Sequence, residues 1–179
     1  MLVEFANKVL GLATIAGDIF IIALIAYYFA FRNNPDYILN FFSRHGLKLA
    51  FLVALSSTLI TLFYSYYAGY AACDLCWYQR IFMYPQAVLL GLAWWKDDKK
   101  IVDYCLPLAW LGTIVALYHT YIYYGGSAFV KCDVSGVSCL KIYVNEFGGL
   151  VSIPTMSLTA FALLIGFLYL QKIYNKSNP

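Results

Sequence analysis

Cys73-Asp74-Leu75-Cys76 puts two thiols three positions apart, a spacing that closes a disulfide or holds a metal. Its context favours redox chemistry. Cys76 stands where an apolar stretch begins, at the positive end of the helix dipole expected there. Arg80 follows four residues later, one turn along the same helical face. Both features favour a thiolate at Cys76, and the thiolate is the reactive form. An arginine just inside a membrane span is expensive and usually functional; the plainer alternative is an arginine that snorkels to the interface. A second pair, Cys132 and Cys139, sits in a small polar loop with Ser135, Gly136 and Ser138. A mobile pair suits relaying electrons between a soluble partner and a membrane site, whereas a static pair would be a staple. Two cysteine pairs also admit a zinc site built from four thiolates. The second pair lacks the close spacing of such sites, so no metal is expected. His119, followed by Thr120 near the end of another apolar stretch, is a functional candidate. It can hydrogen-bond a carbonyl of a bound ring, or simply a neighbouring helix.

The elements that carry these residues are set by hydropathy. Hydrophobic residues make up 63% of the 179 and charged residues 12%, against about 25% charged in soluble domains. Mean hydropathy is +0.71. So few charges cannot cover a water-facing surface, and lipid must cover it. Five stretches approach the roughly 20 apolar residues that cross a bilayer: Val9–Phe31, Leu47–Tyr70, Trp77–Trp95, Ile101–Tyr124 and Gly149–Leu170. Val9–Phe31 is too long for a signal-peptide core, contains Asp18 and ends in aromatic residues, so it reads as a retained span. The expected organisation is an N-terminal span and connection over 1–46, a four-helix core over 47–172 and a tail over 173–179.

Lysine and arginine orient these spans. Arg32, Arg44, Lys48, Lys96, Lys99, Lys100, Lys172 and Lys176 fall on one side, which the positive-inside rule makes cytoplasmic. The N-terminus is then outside and the C-terminus inside. The net charge of +3 follows from this topology, and nothing supports a nucleic-acid partner. Four of the five cysteines fall on the outer, oxidising side, as two disulfides would require. Cys105, on the inner side, reads as a small buried hydrophobe. Many of the 17 tyrosines lie near outer span ends, as an interfacial aromatic belt does. Leu140–Gly149 mixes apolar and polar residues and reads as a short amphipathic surface element. Asp18 has no partner that the sequence identifies, and Pro85, Pro107 and Pro154 shape or begin helices.

These residues resemble the DsbB/BdbC family of disulfide bond formation proteins. The likeness rests on Cys73-Asp-Leu-Cys76-Trp-Tyr-Gln-Arg80 between two spans, a second cysteine pair between the next two, His119-Thr120 and Ile153-Pro154. It covers Leu47–Leu170. Two features depart from the family pattern: the additional first span, and a second pair separated by only six residues. The resemblance implies an all-α membrane protein, a four-helix transmembrane bundle with one extra N-terminal helix. It implies a DsbA-like thioredoxin-fold partner whose dithiol reduces the loop disulfide at Cys132, with Cys139 then pairing with Cys73. It further implies that Cys76 passes electrons to a quinone, ubiquinone or menaquinone, held by Arg80 and His119. The relevant membrane would be the cell membrane, with the redox loops outside it. A stapled scaffold without catalysis, or a relay running in the reductive direction, are the readings against which this one is tested.

Overall fold

The structure, a computed structural model, describes residues 1–31, 37–127 and 137–177. Its elements are five α-helices: α1 (Leu2–Phe31), α2 (Tyr37–Leu62), α3 (Asp74–Lys96), α4 (Val102–Tyr123) and α5 (Ile153–Ser177). Among the described residues there is no strand, only an isolated bridge between Glu146 and Val151. Helices α1, α2, α4 and α5 are each long and apolar enough to cross a membrane, which makes this a multi-pass membrane protein. Helix α3 falls short in hydropathy, not in length: its 23 residues rise about 34 Å, more than the roughly 30 Å hydrocarbon core. The deficit has a cause. Gln79 and Gln86 are buried inside the bundle, and Arg80 is half-buried against α2. Polar side chains turned inward lower the average without meeting lipid.

Helix ends follow their local chemistry. Helix α5 begins with a reciprocal cap: Ser152 N donates to Thr155 Oγ1 at 2.8 Å, and Thr155 N donates to Ser152 Oγ at 3.4 Å. Pro154 sits in that first turn, where its missing N–H costs nothing. Helix α3 ends at Asp97 in a left-handed conformation (φ 52°), and Asp98 N returns to Ala93 O at 2.9 Å. The segment Leu140–Gly149 forms no α-helix; only Phe147–Gly149 makes a single 3-10 turn.

Helices α2, α3, α4 and α5 close a ring, with α1 packed outside it against α5. The core interleaves small and large residues: Ala50 and Ala54 of α2, Ala87 and Leu90 of α3, Ala109 and Ala116 of α4, Phe161 and Leu164 of α5. Without a hydrophobic drive between helices in lipid, close approach of small residues supplies the packing. The Phe161 ring lies over Gly112 so tightly that a Cβ there would stand 2.2 Å from it. Arg44, Lys48 and Lys99 gather near Trp94 and Gln171 at one end of the bundle; the cysteines of the first pair and Cys139 gather at the other.

Candidate functional site

Five of the residues singled out in the sequence share one cavity. Cys73, Cys76, Arg80, His119 and Cys139 all line a space of about 250 Å³. Cys132 and its neighbour Lys131 lie outside the described residues. Cys105 is buried in the core, away from this site.

Cys73 precedes α3 with an extended backbone (φ −76°, ψ 173°), and its carbonyl accepts the first turn's bond from Trp77 N at 3.1 Å. Cys76 lies in that first turn. The turn between the two brings the Cys73 thiol to donate to Cys76 Sγ at 3.2 Å. Both cysteines lie ahead of Trp77, where the apolar stretch of the sequence begins. The Cys73 hydrogen bond favours the charged form of Cys76 and pulls its thiol below the ordinary value, with Arg80 adding to the effect. The same bond holds the proton on Cys73, and burial adds to it, so that thiol is pushed up. The pair is therefore polarised: one sulfur is disposed to ionise and the other to keep its proton.

His119 is buried on α4 and serves the sulfur side of the cavity. Gln79 Nε2 donates to His119 Nδ1 at 3.1 Å. That leaves Nε2 as the nitrogen carrying hydrogen, and it faces Cys73 Sγ at 3.9 Å. The chain thus runs from Gln79 through His119 and Cys73 to Cys76. The ligand atoms of Cys73, Cys76 and His119 lie within 4.8 Å of one another, so a soft cation is worth testing against them. Tetrahedral zinc thiolates with bonds near 2.3 Å hold their sulfurs about 3.8 Å apart. At 3.2 Å the two sulfurs stand closer than that.

Arg80 bridges α3 to α2. Its Nη2 donates to Ser65 Oγ and to Thr61 O, the latter at 3.4 Å, and its guanidinium lies 5.0 Å from the Trp77 ring centroid. Ser65 belongs to a π-helical turn, Phe63–Tyr67, that ends α2; such turns concentrate at functional sites. Tyr64 in the same turn is buried and stacks on Tyr70, which stacks on Tyr143 with centroids 4.6 Å apart. The Tyr143 hydroxyl is buried on the cavity wall and meets no hydrogen-bonding partner among the described residues.

Cys139 is buried and packs in one cluster with Cys73, Leu75 and Ile122, against which Cys76 also rests. The structure so brings the second pair's Cys139 to the first pair. Sequence reasoning missed Gln79, Thr61, Ser65 and Tyr143. Gln79 was within its reach, because a glutamine inside a span invites the same question as Arg80 or His119. The backbone carbonyl of Thr61 and the π-turn carry no sequence signal.

Known proteins resemble this chain in sequence. The family model for disulfide bond formation protein DsbB matches residues 43–171. The disulfide bond formation protein C of Bacillus subtilis (strain 168) is 39% identical over 128 residues, 70% of this chain and 91% of its own. A probable disulfide formation protein C 2 of Bacillus anthracis is 35% identical over 135 residues, 75% of this chain and 96% of its own. A probable disulfide formation protein of Chlamydia pneumoniae is 35% identical over 138 residues, 76% and 98% of the two chains. No solved structure matches significantly. With helices, dithiol and family match in agreement, the chain belongs to the DsbB family of disulfide bond formation proteins.

Proposed function

We propose that the chain is a thiol:quinone oxidoreductase that reoxidises a DsbA-like thioredoxin-fold dithiol protein outside the cytoplasm. The observation that carries the reading is the shared cavity: a polarised dithiol, an arginine and an unpartnered tyrosine hydroxyl line one apolar space. At about 250 Å³ it is at the small end of ligand pockets, near 300 Å³, enough for a ring but not for a long tail. A quinone bound there would supply the acceptor for two electrons and two protons. Arg80 and the Tyr143 hydroxyl are suited to hold its oxygens, as charge-assisted and neutral donors respectively. His119, on the same wall, acts at Cys73: its N–H steadies that sulfur whenever it carries charge.

The thiol steps balance. The partner's two thiols would become its disulfide as the Cys132–Cys139 disulfide opens to two thiols. Cys139 thiolate then attacks Cys73 of the Cys73–Cys76 disulfide, releasing Cys76 as thiolate. Cys132 closes on Cys139, and Cys73 leaves with a proton. The dithiol is then reduced, and a hydrogen bond from Cys73 to Cys76 favours charge on Cys76 and the proton on Cys73. Lysines and arginines at the opposite end of the bundle support an extracytoplasmic cysteine end and a cytoplasmic C-terminus in the cell membrane.

The test is oxidation of a reduced thioredoxin-fold dithiol protein by the purified chain. Oxidation should require ubiquinone or menaquinone and should keep pace with quinone reduction. Equal rates with and without quinone would remove this reading.

A further inference from the structure

Helix α1 has no place in the family match, which begins at residue 43. The Bacillus anthracis relative has 96% of its length inside a 135-residue match, which leaves no length for both a four-helix core and a counterpart of the 30-residue α1. Yet α1 is built into this protein at three depths. Near its start, the buried Asn7 Oδ1 accepts from Tyr64 OH of the π-turn at 2.9 Å. Midway, Thr159 Oγ1 of α5 donates to Asp18 Oδ1 at 2.6 Å, and a Cβ on Gly17 would stand 3.0 Å from Thr159 Cγ2. Further along, the Phe20 ring lies 5.5 Å from that of Phe42 on α2 and 6.0 Å from that of Phe167 on α5. The first anchor reaches the end of α2, the second α5 and the third both. Helix α1 therefore lies across the seam between them, with Asn7 buried and the exposed Asp18 tied to α5 through Thr159.

Between the first and second anchors, Leu10, Ala13 and Thr14 line the cavity that holds the dithiol. From α2 and α5 the same stretch is lined by Ser57 and Ile60 and by Ser157 and Ala160. The cavity thus occupies the place where α2 and α5 part, and α1 covers that parting. A quinone ring near Cys76 has a tail that this cavity cannot contain, and the tail must reach lipid.

We propose that α1 is the lipid-side wall of the quinone site and that Leu10, Ala13 and Thr14 form a subsite for the first units of the isoprenoid tail. This rests on the quinone reading above. Helix α1 then determines specificity without touching the reacting sulfurs: it adds apolar surface against the tail and keeps lipid chains from filling the seam.

The experiment uses the full chain and two benzoquinones that share a ring, one with several isoprenoid units and one with none. Ala13→Trp should raise KM for the tailed quinone about tenfold and change that for the tailless one by less than about twofold. Reduction of the Cys73–Cys76 disulfide by the dithiol protein, followed without quinone, should be unchanged in the same preparation. Leu10→Ala, which removes wall instead of adding bulk, should shrink the wild-type preference for the tailed quinone. This second variant decides the matter where the tryptophan variant fails the quinone-free reduction. Wild-type turnover with KM unchanged in these variants, or changed equally for both quinones, would overturn the role of α1 alone. A wild-type protein that uses neither quinone would overturn the reading beneath it as well.

Discussion

The seam between α2 and α5 has two halves that share a helix pair and do opposite things. In the lysine-rich half the helices touch. A Cβ on Gly46 would stand 2.5 Å from Phe167 O, Ala50 and Ala54 are fully buried, and Gln171 Oε1 accepts from Leu47 N at 3.0 Å. In the cysteine half the same helices part around a cavity, and α2 gives up its α-helical register in the π-turn that carries Tyr64 and Ser65. The difference lies in residue size and polarity. Glycine and alanine let backbones meet, so the first half serves stability. In the second half the π-turn side chains bond to other helices, Tyr64 to Asn7 of α1 and Ser65 to Arg80 of α3, and a space remains beside α5. Because one half anchors the fold, the other can stay hollow.

The sharpest way to break this comparison is to remove the reactive sulfur. Cys76→Ser should cut partner oxidation by at least about a thousandfold, because a hydroxyl cannot replace the thiolate as nucleophile or electron donor. Stability in detergent should hardly move, since Cys76 is only partly buried. A variant with residual turnover near wild type would mean that the cavity is not where the chemistry occurs.

The opposite half should answer in the opposite way. Gly46→Leu places a branched side chain where even a Cβ collides with the α5 backbone and with Gln171. Overpacking of this kind costs about 1–3 kcal/mol, read as a lower midpoint in detergent unfolding. Alkylation of Cys76 in the folded fraction should keep its wild-type rate. Loss of both together would show that the halves are coupled rather than separate.

Much of this division was legible in the sequence, and the limits have physical causes. Apolar length pointed to five helices, and five are present among the described residues; Cys73, Cys76 and Arg80 of the signature line one cavity with His119 and Cys139. The helices outrun the apolar stretches: α2 begins at Tyr37, ahead of Leu47, and α5 runs to Ser177, past Leu170. Asn40, Arg44 and His45 lower the hydropathy but continue the helix beyond the apolar window. Asp18, unpartnered in sequence, meets Thr159 from 141 positions away. Such pairings depend on how helices dock, and neither residue announces the other. The same holds for Asn7 with Tyr64 and for His119, which sits nearer to Cys73 than a purely ring-binding role requires.

Within the cysteine half, Arg80→Ala tests whether the guanidinium serves the cavity or only ties α3 to α2. Loss of a charged hydrogen bond to a ligand oxygen costs about 1.5–3 kcal/mol, or roughly ten- to hundredfold in the quinone concentration at half-maximal rate. An unchanged quinone dependence with lowered stability would leave Arg80 as a strut to Thr61 and Ser65.

Titration sharpens the polarity of the pair. The Cys76 thiol lies below its ordinary value because Cys73 donates to it, so in the reduced protein more of it is thiolate at any given pH. Its alkylation rate should rise with pH about a midpoint below that of a free cysteine. Cys73→Ala removes the donor and should move the midpoint upward, with Arg80 still in place. A midpoint that stays put would assign the effect to Arg80 and the helix terminus instead.

The smallest expected effect belongs to Cys105, and it closes the comparison from the packed side. Cys105 is fully buried beside Val102 and Ala109 in the core that α4 shares with its neighbours, and it lies outside the cavity that the other described cysteines line. Cys105→Ala removes one sulfur atom from a close-packed site, comparable to deleting a single methyl group, and should cost about 0.5–1.5 kcal/mol. Turnover with partner and quinone should match wild type, since Cys105 does not line the cavity. The paired measurement is unfolding in detergent and steady-state rate on the same preparation. A fallen rate at unchanged stability would make Cys105 part of the relay, and the packed half could no longer be described as structure alone.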